Sequence, residues 1–429
     1  MQKKRNKKRT RIFILIALIS SLAVILALLY QANKVGAHSK SIQFLESARQ
    51  DFAGENYANA IKHIEKSIEY NPNNEDAYLL AAKSYFLMGN PRIAVKYYYY
   101  YLSKNPRNSE AKRELGNAFL SMGEQDLALI QYKAAVGLNS SNFLALNSAG
   151  RMHTLRENHR ESLKYYNRSL NILFNEPAAE GFGTSSYFLG DYKNSIPILS
   201  KLYESGRISP FSFWKLALSY TWEGQPNKAI EMAEKELKDK PDNNYNNYKY
   251  YLYHIFGTAY LQKWELNNSI YFLNLAIENL PDSASHDKVL WQYELGMAYL
   301  LNNDNKNAIK QFKSSLSVTP MVSAARALKL AYELSGNMED ANKVIENGLS
   351  IGFMSPPLLG KVYMDHALYD KAEEQFLLSI SMKPDYYLPY EQLGVLYLKL
   401  GNISLSRQYF EKSLNLNPQS EISMSYINT

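Results

Sequence analysis

No cysteine occurs anywhere in the 429 residues. That excludes disulfides, thiolate catalysis, cysteine-ligated zinc and lipidation of an N-terminal cysteine. The seven histidines, His38, His63, His153, His159, His254, His286 and His366, are scattered, and no HExxH pair forms among them. A phosphate-binding P-loop, a GxSxG nucleophile elbow and a DxDxDG calcium loop are also missing. Gly181-Phe182-Gly183 is no dinucleotide loop, because the third glycine and the preceding strand are absent. The sequence therefore predicts no enzyme, no cofactor and no metal centre. One further shortage is local: residues 1–11 contain no acid, yet hold Lys3, Lys4, Arg5, Lys7, Lys8, Arg9 and Arg11. Without those seven, 41 basic residues face 41 acidic ones, so the net charge of +7 is confined to the N-terminus. No basic surface is left over for nucleic acid.

Behind the basic run comes an uncharged stretch, Ile12 to Tyr30, reading IFILIALISSLAVILALLY. As a helix it reaches ~30 Å, about the hydrocarbon thickness of a bilayer. It is longer than the usual apolar region of a cleaved signal. The flanking cations belong on the cytoplasmic side. The expectation is a signal-anchor, with residues 1–11 as a cytoplasmic tail, 12–30 as the transmembrane helix and 31–40 as a linker. Everything beyond would lie outside the cytoplasm, in a bacterial periplasm. The rival is cleavage at Val35-Gly36-Ala37, which would release a secreted protein.

From residue 41 onward the chain repeats a unit of about 34 residues. The clearest copy is YYLPYEQLGVLYLKLGNISLSRQYFEKSLNLNP, ending at Pro418. Apolar and small residues recur at helical spacing through Leu393, Gly394 and Tyr397. Gly401-Asn402 turns the chain, a second helical run carries Ser406, Phe410 and Ser413, and Pro418 stops it. Earlier copies repeat the slots: Leu115-Gly116, Phe119, Ala128 and Tyr132; Leu295-Gly296, Tyr299, Ala308 and Phe312; Leu359-Gly360, Tyr363, Ala372 and Phe376. Small residues bring the two helices close, and aromatics fill the remaining gaps. The weak units lie near 143–209 and 322–352. In the first, His153 takes an aromatic slot, and it is expected to pack there. In the second, Lys329 stands where a small residue belongs, predicting a splayed pair. Residues 242–249 and 283–288 read as insertions. Tyr97 to Tyr101 cannot all face one side of a helix, so some must be buried and some exposed.

The pattern L-G-x-x-Y, then Ala, an aromatic four residues on, and Pro resembles the tetratricopeptide repeat. The resemblance runs from about Ser41 to Pro418 and gives the fold expectation: all-α, a right-handed solenoid of about eleven helix pairs over 41–420, preceded by one transmembrane helix. It implies that the first helices line a concave groove, and that the groove binds proteins or peptides. Residues one turn apart on those helices, outside the packing slots, are then the candidates for partner binding: Trp214, Leu218 and Trp222, Tyr251 and His254, and Tyr293 and Met297. Arg113 and Asn117 have the spacing of a carboxylate clamp, but Ser148 and Gly181 follow where further polar residues are needed. Only a short cap, 421–429, follows the last unit. It implies an incompletely covered end that a partner or a second copy completes. The expected function is a non-enzymatic, membrane-anchored interaction scaffold. The alternatives are an envelope or glycan-associated accessory factor, and an enzyme or enzyme subunit with an unrecognised site.

Overall fold

The computed structural model describes residues 2–239, 248–344, 346 and 355–427. The chain divides into two compact units, Met1–Ala178 and Ala179–Thr429. The first holds α1 (Gln2–Ala53), α2 (Tyr57–Tyr70), α3 (Glu75–Leu87), α4 (Pro91–Lys104), α5 (Ser109–Ser121), α6 (Gln125–Leu138), α7 (Phe143–Leu155) and α8 (His159–Ile172). Helix α9 (Glu176–Phe188) crosses into the second unit. There follow α10 (Tyr192–Glu204), α11 (Pro210–Trp222), α12 (Pro226–Asp239), α13 (Lys249–Gln262), α14 (Leu266–Glu278), α15 (Ser285–Leu301) and α16 (Asn305–Leu316). Helices α17 (Val322–Leu334), α18 (Met338–Lys343), α19 (Ser355–Asp365), α20 (Tyr369–Met382), α21 (Tyr387–Lys399), α22 (Ile403–Leu416) and α23 (Glu421–Ile427) complete it. The fold is an all-α repeat solenoid in which consecutive helices pair, α1 with α2 through to α21 with α22.

Each pair is built by the same devices. Asparagine or aspartate opens many helices: Asn108 Oδ1 accepts from Ala111 N at 2.9 Å, and Asp304 Oδ1 from Asn307 N at 3.1 Å. The turn after α5 closes with Gly123 at φ 81°, and Glu124 N–H returns to the Phe119 carbonyl. Inside the pair, a Cβ on Gly116 would sit 2.5 Å from Tyr132 Cε1, and one on Gly296 2.5 Å from Phe312 Cε1. The serines expected at the start of the second helix do more than keep clear. Ser269 Oγ donates to the Gly257 carbonyl at 2.8 Å, and Ser406 Oγ to the Gly394 carbonyl at 2.7 Å. In the last pair, small residue, ring and hydroxyl interlock at one level, through Gly394, Phe410 and Ser406.

Several departures are explained locally. Residues 31–40 are not a separate linker; α1 continues through them and becomes the first helix of the first repeat. From Leu18 onward α1 is long and apolar enough to cross a membrane, by length and composition. His153 is buried and stacks on Tyr165 at 5.4 Å and 13°, and burial lowers its pKa. In the tyrosine run, Tyr98 and Tyr101 are buried, Tyr97 and Tyr100 half-buried and Tyr99 exposed. Lys329 lies half-buried with its ammonium 3.5 Å from Glu346, and its partner helix α18 spans only 6 residues. Of the insertions, 242–247 lie outside the described residues. The second, expected as a loop at 283–288, is a short 3-10 turn followed by the first turn of α15.

Candidate functional site

The odd-numbered helices touch one another, α5 with α7 in the first unit and α13 with α15 in the second, so within each unit they line one face, the inner face. Two positions on each odd helix point along that face: the residue three before the mid-helix small residue, and the residue just after it. In the first unit these are Arg113 and Asn117 around Gly116, then Asn147 and Arg151 around Gly150. In the second unit they are Trp214 and Leu218 around Ala217, His254 and Thr258 around Gly257, and Tyr293 and Met297 around Gly296. The same structural position is polar in one unit and largely apolar in the other.

The first unit keeps this face partly open. Arg113, Asn117 and Asn147 are half-buried and Arg151 is exposed. The polar groups hold one another in place. Both Glu110 oxygens accept from Arg113, Lys83 Nζ lies 3.1 Å from Glu114, and the Tyr132 hydroxyl donates to Asn117 Oδ1 at 2.8 Å. Arginine hydrogen bonding holds the Glu110 carboxyl low, while burial raises that of Glu114. Arg113 and Asn117, the pair with clamp spacing, are therefore both engaged within the fold.

The second unit fills the face instead. Trp214 and His254 are each 2% exposed, Met297 is fully buried, Leu218, Trp222 and Tyr293 are buried, and Tyr251 is half-buried. Far from facing an open groove, Trp214, Tyr251 and His254 meet around Trp291. Trp214 stacks on Tyr251 at 4.4 Å, and His254 on Trp291 at 4.3 Å. Trp214 Nε1–H donates to His254 Nδ1 at 3.0 Å, which leaves the proton on Nε2, 2.8 Å from Glu294 Oε2. Thr258 Oγ1 donates to the same carboxylate at 3.2 Å. Both imidazole nitrogens are committed, so the ring has no free base to offer a substrate. Elsewhere on the face, Tyr293 and Ser355 share a hydroxyl hydrogen bond of 2.6 Å. Among the described residues no group of three metal-ligating side chains could hold an ion.

Lys215, absent from the candidates, is the most unusual group here. It is 5% exposed, and its ammonium sits 3.4 Å over the Trp214 ring, with Tyr187, Phe188 and Phe211 within 5.1 Å. Desolvation pushes its pKa down to about 7, against the pull of Asp287 and Glu294. The signal was present in the sequence: Lys215 is the lone charge in PFSFWKLALSYTW. A helix apolar all round is a buried helix.

The second unit also closes on itself. The Lys383 ammonium donates to the Gly190 carbonyl and lies 4.4 Å from the Tyr192 ring. Gln262 Nε2 donates to the Tyr387 hydroxyl at 2.8 Å. Gly224, at φ 82°, abuts the C-terminal repeat so closely that a Cβ would overlap Asn417 Nδ2 and lie 2.8 Å from Tyr387 Cε1. Last-repeat residues are thus seated on turns from the unit's first repeats.

The repeat geometry is matched by family models. Models described as tetratricopeptide repeat match residues 79–143, in the first unit, and 389–420, in the second. These two stretches are tetratricopeptide repeats. Tetratricopeptide arrays are protein–protein interaction scaffolds and typically not enzymes. The chain is 24% identical over 191 residues to a TPR repeat-containing protein of Methanocaldococcus jannaschii, covering 43% of this chain and 32% of the relative. It is 22% identical over 248 residues to anaphase-promoting complex subunit 3 of Schizosaccharomyces pombe, covering 57% and 31%. The chain thus spans about a third of the length of the curated relatives it matches. A solved tetratricopeptide repeat protein from Parabacteroides merdae superposes with a TM-score of 0.42 at 17% identity, covering 61% of this chain and 99% of that one.

Proposed function

We propose that the protein is a membrane-anchored scaffold whose repeats stand outside the cytoplasm and hold protein or peptide partners. The observation that carries the binding half is the difference between the two inner faces. The second unit spends its inner face on its own packing, with Trp214, Leu218, Trp222, His254, Tyr293 and Met297 all buried. The first unit presents Arg113, Asn117, Asn147 and Arg151 in register on neighbouring helices. Partner contact therefore falls to the first unit, and the expected groove residues serve closure. The anchoring half is supported by the uncharged stretch in α1 and the seven cations before it. An anchored array gains effective concentration for partners in the same membrane, which strengthens weak contacts.

Two measurements test this reading. Alkaline phosphatase fused at the C-terminus should be active and a fluorescent protein at the same point dark; the reverse pattern overturns the topology. Affinity capture with the full chain should recover partners that are lost with Arg151→Glu, an exposed residue whose change leaves the core intact. Equal recovery overturns the binding face. We also propose that the end of the array meets a second copy, since α23 leaves Met424 and Tyr426 exposed. Sedimentation showing only monomer at micromolar concentration refutes that.

A further inference from the structure

Lys329 takes the slot where the clear repeats carry glycine, and its partner helix α18 ends after 6 residues. Beside this short pair lies a cavity of about 270 Å³, walled by α17, α19, α20 and Glu346. Its charges are unevenly matched. Arg326 Nε lies 3.0 Å and Lys329 Nζ 3.5 Å from the one Glu346 carboxylate, so two cations share a single anion. Glu333 stands one turn beyond Lys329 on the same helix, where side chains are neighbours at ~5–6 Å. Yet among the described residues neither Glu333 nor Glu374 of α20 forms an ion pair. Glu333 also sits in the last turn of α17, where the helix dipole disfavours a carboxylate. Both carboxylates act on the same point: burial, then Glu333, Glu346 and Glu374, push the Tyr363 hydroxyl pKa up to about 12, against the pull of Arg326. The cavity thus sets a surplus cation one helical turn from carboxylates without counter-ions.

It also holds an amide without a partner. Gln375 is 8% exposed, lines the cavity and forms no hydrogen bond among the described residues. Neither of its amide atoms is sealed off, so both the oxygen and the nitrogen can reach an occupant. A buried amide left unpaired is costly, and an occupant that pairs it removes the cost.

We propose that this cavity binds a free aliphatic α-amino acid. The ligand carboxylate takes Arg326 and Lys329, its ammonium takes Glu333 and Glu374, and the Gln375 amide hydrogen-bonds to either group. The volume is below that of sites for drug-sized molecules, which suits one amino acid and not a peptide. Leu330 and Leu359, both buried, give an apolar floor for the side chain. The site goes beyond the scaffold reading and does not depend on it, since that reading rests on α1 and the first unit.

Isothermal titration calorimetry of the full-length chain in detergent, with L-leucine as the probe, tests the proposal. The expected result is saturable binding whose Kd rises about tenfold or more with Glu333→Gln, Glu374→Gln and Gln375→Leu. Glu374 is exposed, so Glu374→Gln stands in if Gln375→Leu fails to fold. N-acetyl-leucine, which lacks the ammonium, and isoamylamine, which lacks the carboxylate, should not bind. No heat from L-leucine or any other proteinogenic amino acid at millimolar concentration overturns the site. Equal binding of either analogue or of dileucine, or an unchanged Kd in both Glu333→Gln and Glu374→Gln, overturns it as well. None of these outcomes bears on partner capture through Arg151.

Discussion

Replacing Lys215 by methionine should make the protein more stable, and by an amount that depends on pH. The lysine is enclosed by four aromatic rings, and burial lowers its pKa from 10.5 to about 7. A depressed lysine pKa means that the unfolded chain binds the proton more tightly than the folded one. The penalty is full below pH 7, shrinks as pH rises through the window from 7 to 10.5, and is gone above it. At about 1.4 kcal/mol per unit the full penalty is roughly 5 kcal/mol. Methionine is similar in length and flexible, and carries no charge to bury. Lys215→Met should therefore gain roughly 5 kcal/mol at pH 6 and only about 1.4 kcal/mol near pH 9.5. The assay is urea unfolding followed by tryptophan emission. All four tryptophans, Trp214, Trp222, Trp264 and Trp291, lie in the second unit, so the signal reports that unit alone. A wild-type stability flat from pH 6 to 9.5, or a variant less stable than wild type at both ends, would refute the reasoning. Either result would mean that the amine reaches water or a carboxylate.

Other changes should act through separate causes. Gly224→Ala places a side chain at positive φ and against Asn417, so it should cost the second unit about 2 kcal/mol or more by the same unfolding assay, with partial recovery when Asn417→Ala is added. Phe312→Ala removes a fully buried ring from its glycine slot and should cost about 3–5 kcal/mol in urea unfolding. His153→Phe should flatten the acid limb of stability: burial lowers the histidine pKa, so wild type loses stability as pH falls below 6.5, and the variant loses less in thermal unfolding monitored by circular dichroism.

The repeat was legible because its signals are local. Gly116 with Tyr132, Gly296 with Phe312 and Gly394 with Phe410 each lie one turn-and-back apart in sequence, and a 34-residue period sets them in register. Packing of His153 and the split of Tyr97–Tyr101 between core and surface followed from helical spacing alone. The state of the inner face was not legible in the same way. An aromatic at the position of Trp214 looks identical whether it awaits a partner or meets another helix of its own chain. Which one holds depends on curvature, summed over several repeats, that brings Tyr387 to Gln262 across 125 residues. One clue was available: PFSFWKLALSYTW has no polar stripe wide enough to face water. The helical continuation through 31–40 was missed because glycine at Gly36 and scattered polar residues look like a spacer, although α1 needs no buried face there.

Closure changes what kind of object the second unit is. An open array can gain or lose a repeat at its end, since each unit answers only to its neighbours. In the second unit, the repeat that carries Tyr387 and Asn417 is seated on turns at Gly190 and Gly224, laid down at the start of the unit. Duplicating or deleting one repeat between them would move Lys383 away from Gly190 and Asn417 away from Gly224. Copy number there is fixed by geometry, as strand number is fixed in a barrel.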